Sequence, residues 1–264
     1  MTIHLGVISI MPELVENIQH GIIKKAVEQK KVMIDCWNPR DWAARPACRV
    51  DDTPYGGGPG MVMCYQPVSA AIRFATSCMP KKTKVIYLSP QGKKINQKDL
   101  NEVVAQHQSL LFVAGRYEGI DERIIETHID EEWSLGDFVL SGGELAAMVF
   151  IDTIVRLIPG VLGHPESAVA DSFMQGYLDT PHYTKPACIE GQDVPAVLLS
   201  GHRANIESWR TKQALGRTWL KRPDLLENLT LSASENELLA TFKREHGGYN
   251  TASHLEEPNH DKHH

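Results

Sequence analysis

The sequence predicts an α/β fold built on a largely parallel sheet. Two observations carry that expectation. Short runs rich in Ile and Val, at 4–10, 31–37, 84–90 and 109–115, alternate with segments of helical period. A long apolar helical pattern, 143–158, starts directly at a glycine-rich loop, the kind of loop that gathers at the carboxyl ends of parallel strands.

Taken in order, HLGVISI (4–10) reads as the first strand, and Pro12 is a good first helical residue. Leu14, Val15, Ile18, Ile22, Ile23 and Ala26 then recur at helical spacing. KVMIDCW (31–37) reads as the second strand, and 38–65 carries Pro and Gly clusters with little periodicity, a long loop. A helix is expected over 67–78, strands over 84–90 and 109–115, and a polar helix over 97–106 between them. GELAAMVFIDTIVRLI (143–158) makes the strongest helix, and Pro159-Gly160 ends it. The stretch to 193 lacks steady periodicity and reads as a linker. Beyond PAVLLSG (195–201) the pattern is helical to 246, with Ser234 and Glu237 matching a capping box for the last helix. The polar tail is expected to be disordered, and its histidines read as solvated rather than metal-binding.

Bulk properties exclude several classes. A net charge of −6 argues against a simple nucleic-acid-binding domain, which would be basic. The five cysteines include no Cys-x-x-Cys pair, so neither a zinc ribbon nor a thioredoxin-type motif is supported. The amino terminus has no basic region before its apolar stretch and does not read as a signal peptide. The most apolar run is interrupted by Asp152 and Arg156, too charged for a membrane span.

Three loops share one logic: YLSPQG (87–92), AGRYEGID (114–121) and SLGDFVLSGGE (134–144). Each follows or encloses a strand-like run, and glycine there lets backbone approach a ligand. None carries the lysine of a phosphate-binding P-loop, and the first strand-helix turn has no dinucleotide fingerprint. A phosphate-free adenosine read through backbone contacts fits better.

Charge distribution points to a second partner. Residues 202–223 hold six Lys or Arg and one Glu, with Trp209 and Trp219 interleaved. A basic helical face with aromatics suits RNA, although the tryptophans by themselves read as core. By residue type alone, Arg156 reads as a helix C-terminal arginine and Asp171 as a turn or cap residue. His182 and Tyr183 read equally as catalytic or as loop packing.

Together VDDTPYGGGPGMVM (50–63), YLSPQG, GRYEGIDER (115–123), GDFVLSGGELAAM (136–148), DSFMQGYLDTPHYTKP (171–186) and GRTWLKRPDLL (216–226) resemble the TrmD family of bacterial tRNA (guanine-N1)-methyltransferases. The resemblance runs from about residue 1 to 246, with the motifs in the same order. It implies methyl transfer from S-adenosylmethionine to N1 of the guanine just 3′ of the anticodon. It implies a SPOUT-class fold, a largely parallel sheet with a trefoil knot, plus a smaller helical C-terminal domain. The corresponding division is a knotted cofactor-binding domain over 1–160, a flexible linker over 161–193, a helical tRNA-binding domain over 194–246 and a disordered tail over 247–264. It further implies a cytoplasmic homodimer with active sites at the subunit interface.

Carried over residue by residue, the cofactor pocket would fall on Tyr87, Leu88, Ser89 and Pro90, then on Gly115, Tyr117, Glu118 and Gly119. In the third loop it would fall on Ser134, Leu135, Gly136, Asp137, Phe138, Val139, Leu140, Gly142 and Gly143. Asp171 matches the family's general base and Arg156 its electrostatic partner. Glu118 matches a carboxylate placed near magnesium. The rival readings are a knotted RNA methyltransferase acting on another base and a non-catalytic RNA-binding module.

Overall fold

The computed structural model describes residues 2–106, 108–163 and 171–247. The chain divides into two compact units, Met1–Ala168 and Val169–His264. The expected tail lies outside the described residues from 248 onward, as does 164–170 of the expected linker.

The first unit is organised by a five-stranded, all-parallel sheet. Its strands are β1 (Ile3–Ile8), β2 (Val32–Trp37), β5 (Lys84–Lys94), β6 (Leu110–Ala114) and β7 (Glu131–Ser134), in the order β2-β1-β6-β5-β7. Two further short strands, β3 (Asp51–Asp52) and β4 (Val62–Met63), form a hairpin inside the long loop. β6 is central and every residue of it is buried, as a parallel strand covered on both faces requires. Its side chains alternate between two cores. Leu110, Phe112 and Ala114 enter one and Leu111 and Val113 the other.

The first core joins the sheet to α1 (Pro12–Glu16), α2 (Gly21–Glu28), α4 (Gln97–Ala105) and α6 (Glu144–Leu157). Phe112, Trp133 and Phe150 meet there at centroid distances of 5.4–6.0 Å. The second core is covered by α3 (Tyr65–Cys78) and α5 (Glu122–His128).

Local chemistry explains where the sequence reading and the structure part. The helical pattern from Pro12 breaks after Glu16 and resumes at Gly21, whose φ of +54° no continuous right-handed helix accepts. β7 escaped the apolar-run criterion because it opens with two glutamates. It is an edge strand, and Glu131 is occupied there by the Lys84 ammonium and the Trp133 indole N–H.

In the second unit the helix Arg203–Lys221 packs on the helix Ala233–Glu245. Gly216 makes the close approach possible, since a Cβ there would lie 2.2 Å from the Phe242 ring. The last helix is capped by Ser232 and Glu235, not by Ser234 and Glu237. The Ser232 Oγ accepts from the Glu235 N–H at 3.3 Å, and a Glu235 carboxylate oxygen accepts from the Ser232 N–H at 2.8 Å. Of two overlapping boxes the earlier one wins, because each helical residue gained adds a backbone bond. Neither Trp209 nor Trp219 is core; both are half-buried.

Candidate functional site

The parallel order β6-β5-β7 brings three consecutive loops to one end of the sheet. The first is a bulge. Leu88 and Lys93 both register with Trp133, so Ser89–Gly92 leave the ladder and then rejoin it. Gly92 is dictated by that return, because a Cβ there would sit 2.5 Å from the Glu132 carbonyl carbon. The second loop leaves β6 at Gly115. It is held by the long 38–65 loop, since the Glu118 N–H donates to Met61 O at 2.9 Å and Gly119 O accepts from the Met63 N–H at 2.9 Å. Beneath it lies Tyr87. Burial raises the Tyr87 phenol above its usual range, partly offset by a hydrogen bond with the Ile120 backbone.

The third loop leaves β7 at Ser134, whose Oγ accepts from the Gly136 N–H at 3.1 Å. It closes on the second loop. Gly142 bridges Arg116, and the Gly143 N–H donates to Gly115 O at 2.9 Å. A Cβ at Gly143 would lie 2.7 Å from the Ala114 Cα, and one at Gly136 2.8 Å from the Phe138 ring. These glycines therefore answer first to the protein's own close packing. In sequence alone they read as points of ligand approach.

The three loops enclose one cavity. Tyr87, Leu88, Ser89 and Pro90 line it, as do Gly115, Tyr117, Glu118 and Gly119. From the third loop Ser134, Leu135, Gly136, Phe138, Val139, Leu140, Gly142 and Gly143 contribute. Asp137 does not line it. Its exposed carboxylate turns out to the Lys94 ammonium at 2.7 Å. Arg116, Trp133, Ser141 and Ala146 line the cavity without having been singled out. Glycines and serines alternate along the wall with apolar and aromatic side chains, and where the side chain is small or missing the main chain can read a ligand through N–H and C=O groups.

Glu144 is the largest omission from the sequence reading. It is the first residue of α6 and is 1% exposed. One carboxylate oxygen accepts from the Ser9 Oγ at 2.7 Å, and the other from the Arg116 Nε at 3.0 Å. A glutamate opening an apolar helix, with an arginine in the preceding glycine loop, was the available signal. By sequence alone it is an ordinary helix start.

Arg156 stands in the last turn of α6 in the first unit, half-buried. Asp171 belongs to the second unit and opens a turn in which its carbonyl accepts from the Met174 N–H at 3.3 Å. Neither lines the cavity. In the same unit His182 pairs with Asp179 at 2.8 Å, and the Tyr183 ring lies 6.4 Å from that of Trp209. Along the helix Arg203–Lys221, Arg210 pairs with Glu207 and Lys212 with Glu245. Among the described residues Arg203, Arg217 and Lys221 have no acidic partner, so that face stays positive. No group of three His, Cys, Asp or Glu side chains that could hold a metal occurs among the described residues. Nor is any helix among them long and apolar enough to cross a membrane.

Comparison with known proteins bears on this site. A family model described as tRNA (Guanine-1)-methyltransferase TrmD matches residues 3–228. A tRNA (guanine-N(1)-)-methyltransferase of Legionella pneumophila (strain Lens) is 66% identical over 247 residues, covering 94% of this chain and 99% of the relative. Proteins of the same description from Enterobacter sp. (strain 638) and Photorhabdus laumondii are 56% and 55% identical over 243 residues. They cover 92% of this chain in each case, and 95% and 97% of the relatives.

Proposed function

The chain belongs to the tRNA (guanine-1)-methyltransferase family and is a methyltransferase acting on N1 of guanine in tRNA; from that premise we propose how its residues divide the work. The family's chemistry implies S-adenosylmethionine as methyl donor. The three-loop cavity is its site, and the observation that carries this reading is the convergence of three glycine-bearing loops from successive strand ends on one cavity, with apolar and aromatic side chains between the glycines. Such a cavity suits a nucleoside without phosphate. When bound, the donor supplies a methyl group on a positively charged sulfur.

Asp171 is the general base and Arg156 the electrostatic stabiliser. Guanine N1 bears a proton and is a poor nucleophile at neutral pH. With the donor bound, the Asp171 carboxylate would accept the N1 proton as the methyl group passes from sulfur to N1. Loss of that proton pushes negative charge onto O6 until the methyl group is bonded to N1, and the Arg156 guanidinium would stabilise that charge as it develops. Holding N1 in line with the methyl group contributes much of the remaining acceleration. Glu118 lines the cavity, but the described residues gather no metal-ligating group around it.

The target is the guanine 3′ of the anticodon, and the positive face of the helix Arg203–Lys221 grips the tRNA. The working enzyme is a cytoplasmic homodimer with the trefoil knot of its class. Support for the dimer comes from the apolar surface left around the cavity mouth and on α6, where Phe138, Val139, Leu145 and Val149 are all exposed. The test is single-turnover methylation of tRNA transcripts with guanine or adenine at the target position. Methylation confined to the guanine transcript, and a rate falling roughly 100-fold or more in Asp171→Ala, is expected. A near-normal rate in that variant with tRNA bound removes Asp171 from the chemistry.

A further inference from the structure

Arg116 was not among the residues the sequence suggested, yet it is the one cation lining the cavity. Its guanidinium is held at one edge only. The Nε–H donates to Glu144 at 3.0 Å, and the Gly142 backbone lies against it so closely that a Cβ there would sit 2.4 Å from Nε. Glu144 is in turn fixed by the buried Ser9, whose Oγ donates to it at 2.7 Å and accepts from the Met11 N–H at 2.9 Å. An arginine has five N–H donors. Among the described residues the Nη donors meet no protein acceptor. The side chain is only 20% exposed. With its stem enclosed and no protein acceptor at its Nη donors, the guanidinium is open to an acceptor brought by a ligand.

Burying Glu144 and Arg116 together has a desolvation cost that an apolar pair would avoid. The arrangement gains one thing in return. It presents a planar fork of donors whose position is set from behind, the geometry that binds a carboxylate through two parallel hydrogen bonds. The other charged residue lining the cavity is Glu118. One cation and one anion at a single cavity match a zwitterion.

We propose that Arg116 recognises the carboxylate of the methyl donor's amino-acid tail, with Glu144 and Ser9 as the positioning residues that aim it. The proposal rests on the reading of this cavity as the donor site. It makes Arg116 the residue that separates the full donor from tail-less adenosine thioethers.

The experiment is calorimetric titration of the full-length protein with two ligands. S-adenosylhomocysteine carries the amino-acid tail, and 5′-methylthioadenosine keeps the adenosine and sulfur but lacks it. The wild type is expected to bind both, the first more tightly. Arg116→Gln should weaken S-adenosylhomocysteine roughly 10- to 100-fold, the range for a lost charge-assisted hydrogen bond, and leave 5′-methylthioadenosine within about twofold. Arg116→Lys keeps the charge without the fork and should fall between. Glu144→Gln, which frees the guanidinium from its anchor, should weaken the tailed ligand alone.

Parallel losses for both ligands would make Arg116 a structural prop and overturn the proposal, as would no loss for either. If Arg116→Gln does not fold, Arg116→Lys and Glu144→Gln decide by the same ratio. Retained wild-type binding of 5′-methylthioadenosine without preference for the tailed ligand would sink the carboxylate role while leaving the donor site intact. Binding of neither ligand would remove the site itself.

Discussion

Replacing Gly143 by alanine adds one methyl group at the point where α6 is launched. That Cβ would lie 2.7 Å from the Ala114 Cα, 3.1 Å from its Cβ and 3.2 Å from the Gly115 nitrogen. Ordinary carbon contacts lie at about 3.5–4.0 Å, so the start of α6 must retreat from the end of β6 by about 1 Å. The obstacle is backbone, which cannot rotate aside. Gly143 has φ −75°, so no left-handed strain enters, and the cost is overpacking alone, about 1–3 kcal/mol. The retreat also stretches the 2.9 Å bond from the Gly143 N–H to Gly115 O, which holds two cavity loops together. Urea unfolding of the ligand-free protein, with titration of S-adenosylhomocysteine alongside, reads both effects. Gly143→Ala should lose about 2 kcal/mol and bind the ligand at least roughly tenfold more weakly. Gly163→Ala is the control, since its Cβ meets nothing within 4 Å among the described residues, and it should stay within about 0.5 kcal/mol of wild type. Unchanged stability with lost binding would refute the reasoning, because the glycine would then serve the ligand and not the junction of β6 and α6.

Three further outcomes follow from other parts of the molecule. The Arg123 side chain holds the Asp121 carboxylate below its usual range, so this carboxylate stabilises the fold above its unfolded pKa and stops doing so as pH falls through the lower folded value. The stability difference between wild type and Asp121→Asn should therefore be constant above about pH 5 and shrink below about pH 4, measured by urea unfolding across that range. Burial, helped by Glu16 and Asp35, pushes the Cys36 thiol up to about 12. Iodoacetamide at pH 8 should label the exposed Cys78 and leave Cys36 unmodified, read by peptide mass spectrometry. Arg217→Ala should weaken tRNA binding and lower the slope of log affinity against log salt by about one, in filter-binding titrations over a salt series.

The strands β1, β6 and the first half of β5 were legible because each is a short run rich in Ile, Val and Leu, and burial on both faces demands such runs, while β2, an edge strand with Val32 alone buried, was legible from its own Val, Met and Ile. The cavity loops were legible for a similar reason, since their glycines punctuate the ends of those runs. β7 was not, because its two glutamates belong to an edge whose partners, Lys84 and Trp133, come from elsewhere in the chain and from the strand's own end. The family resemblance carries Asp137 to the cavity with the rest of its loop, and only the folded chain shows it turned toward Lys94.

By itself, then, the sequence determined the alternation of strand and helix, the three glycine-rich loops and the concentration of positive charge between residues 202 and 223. Those are properties of neighbouring residues, and hydrophobic period, turn chemistry and charge are local quantities. The tertiary structure decided why the glycines are there and what Glu144 does. Gly143 faces Ala114, Gly92 faces Glu132, and Glu144 joins Ser9 to Arg116 across a separation of 135 residues on one side. Steric exclusion and the pairing of a buried charge act over a few ångströms in space, so only the folded chain could reveal which distant residues impose them.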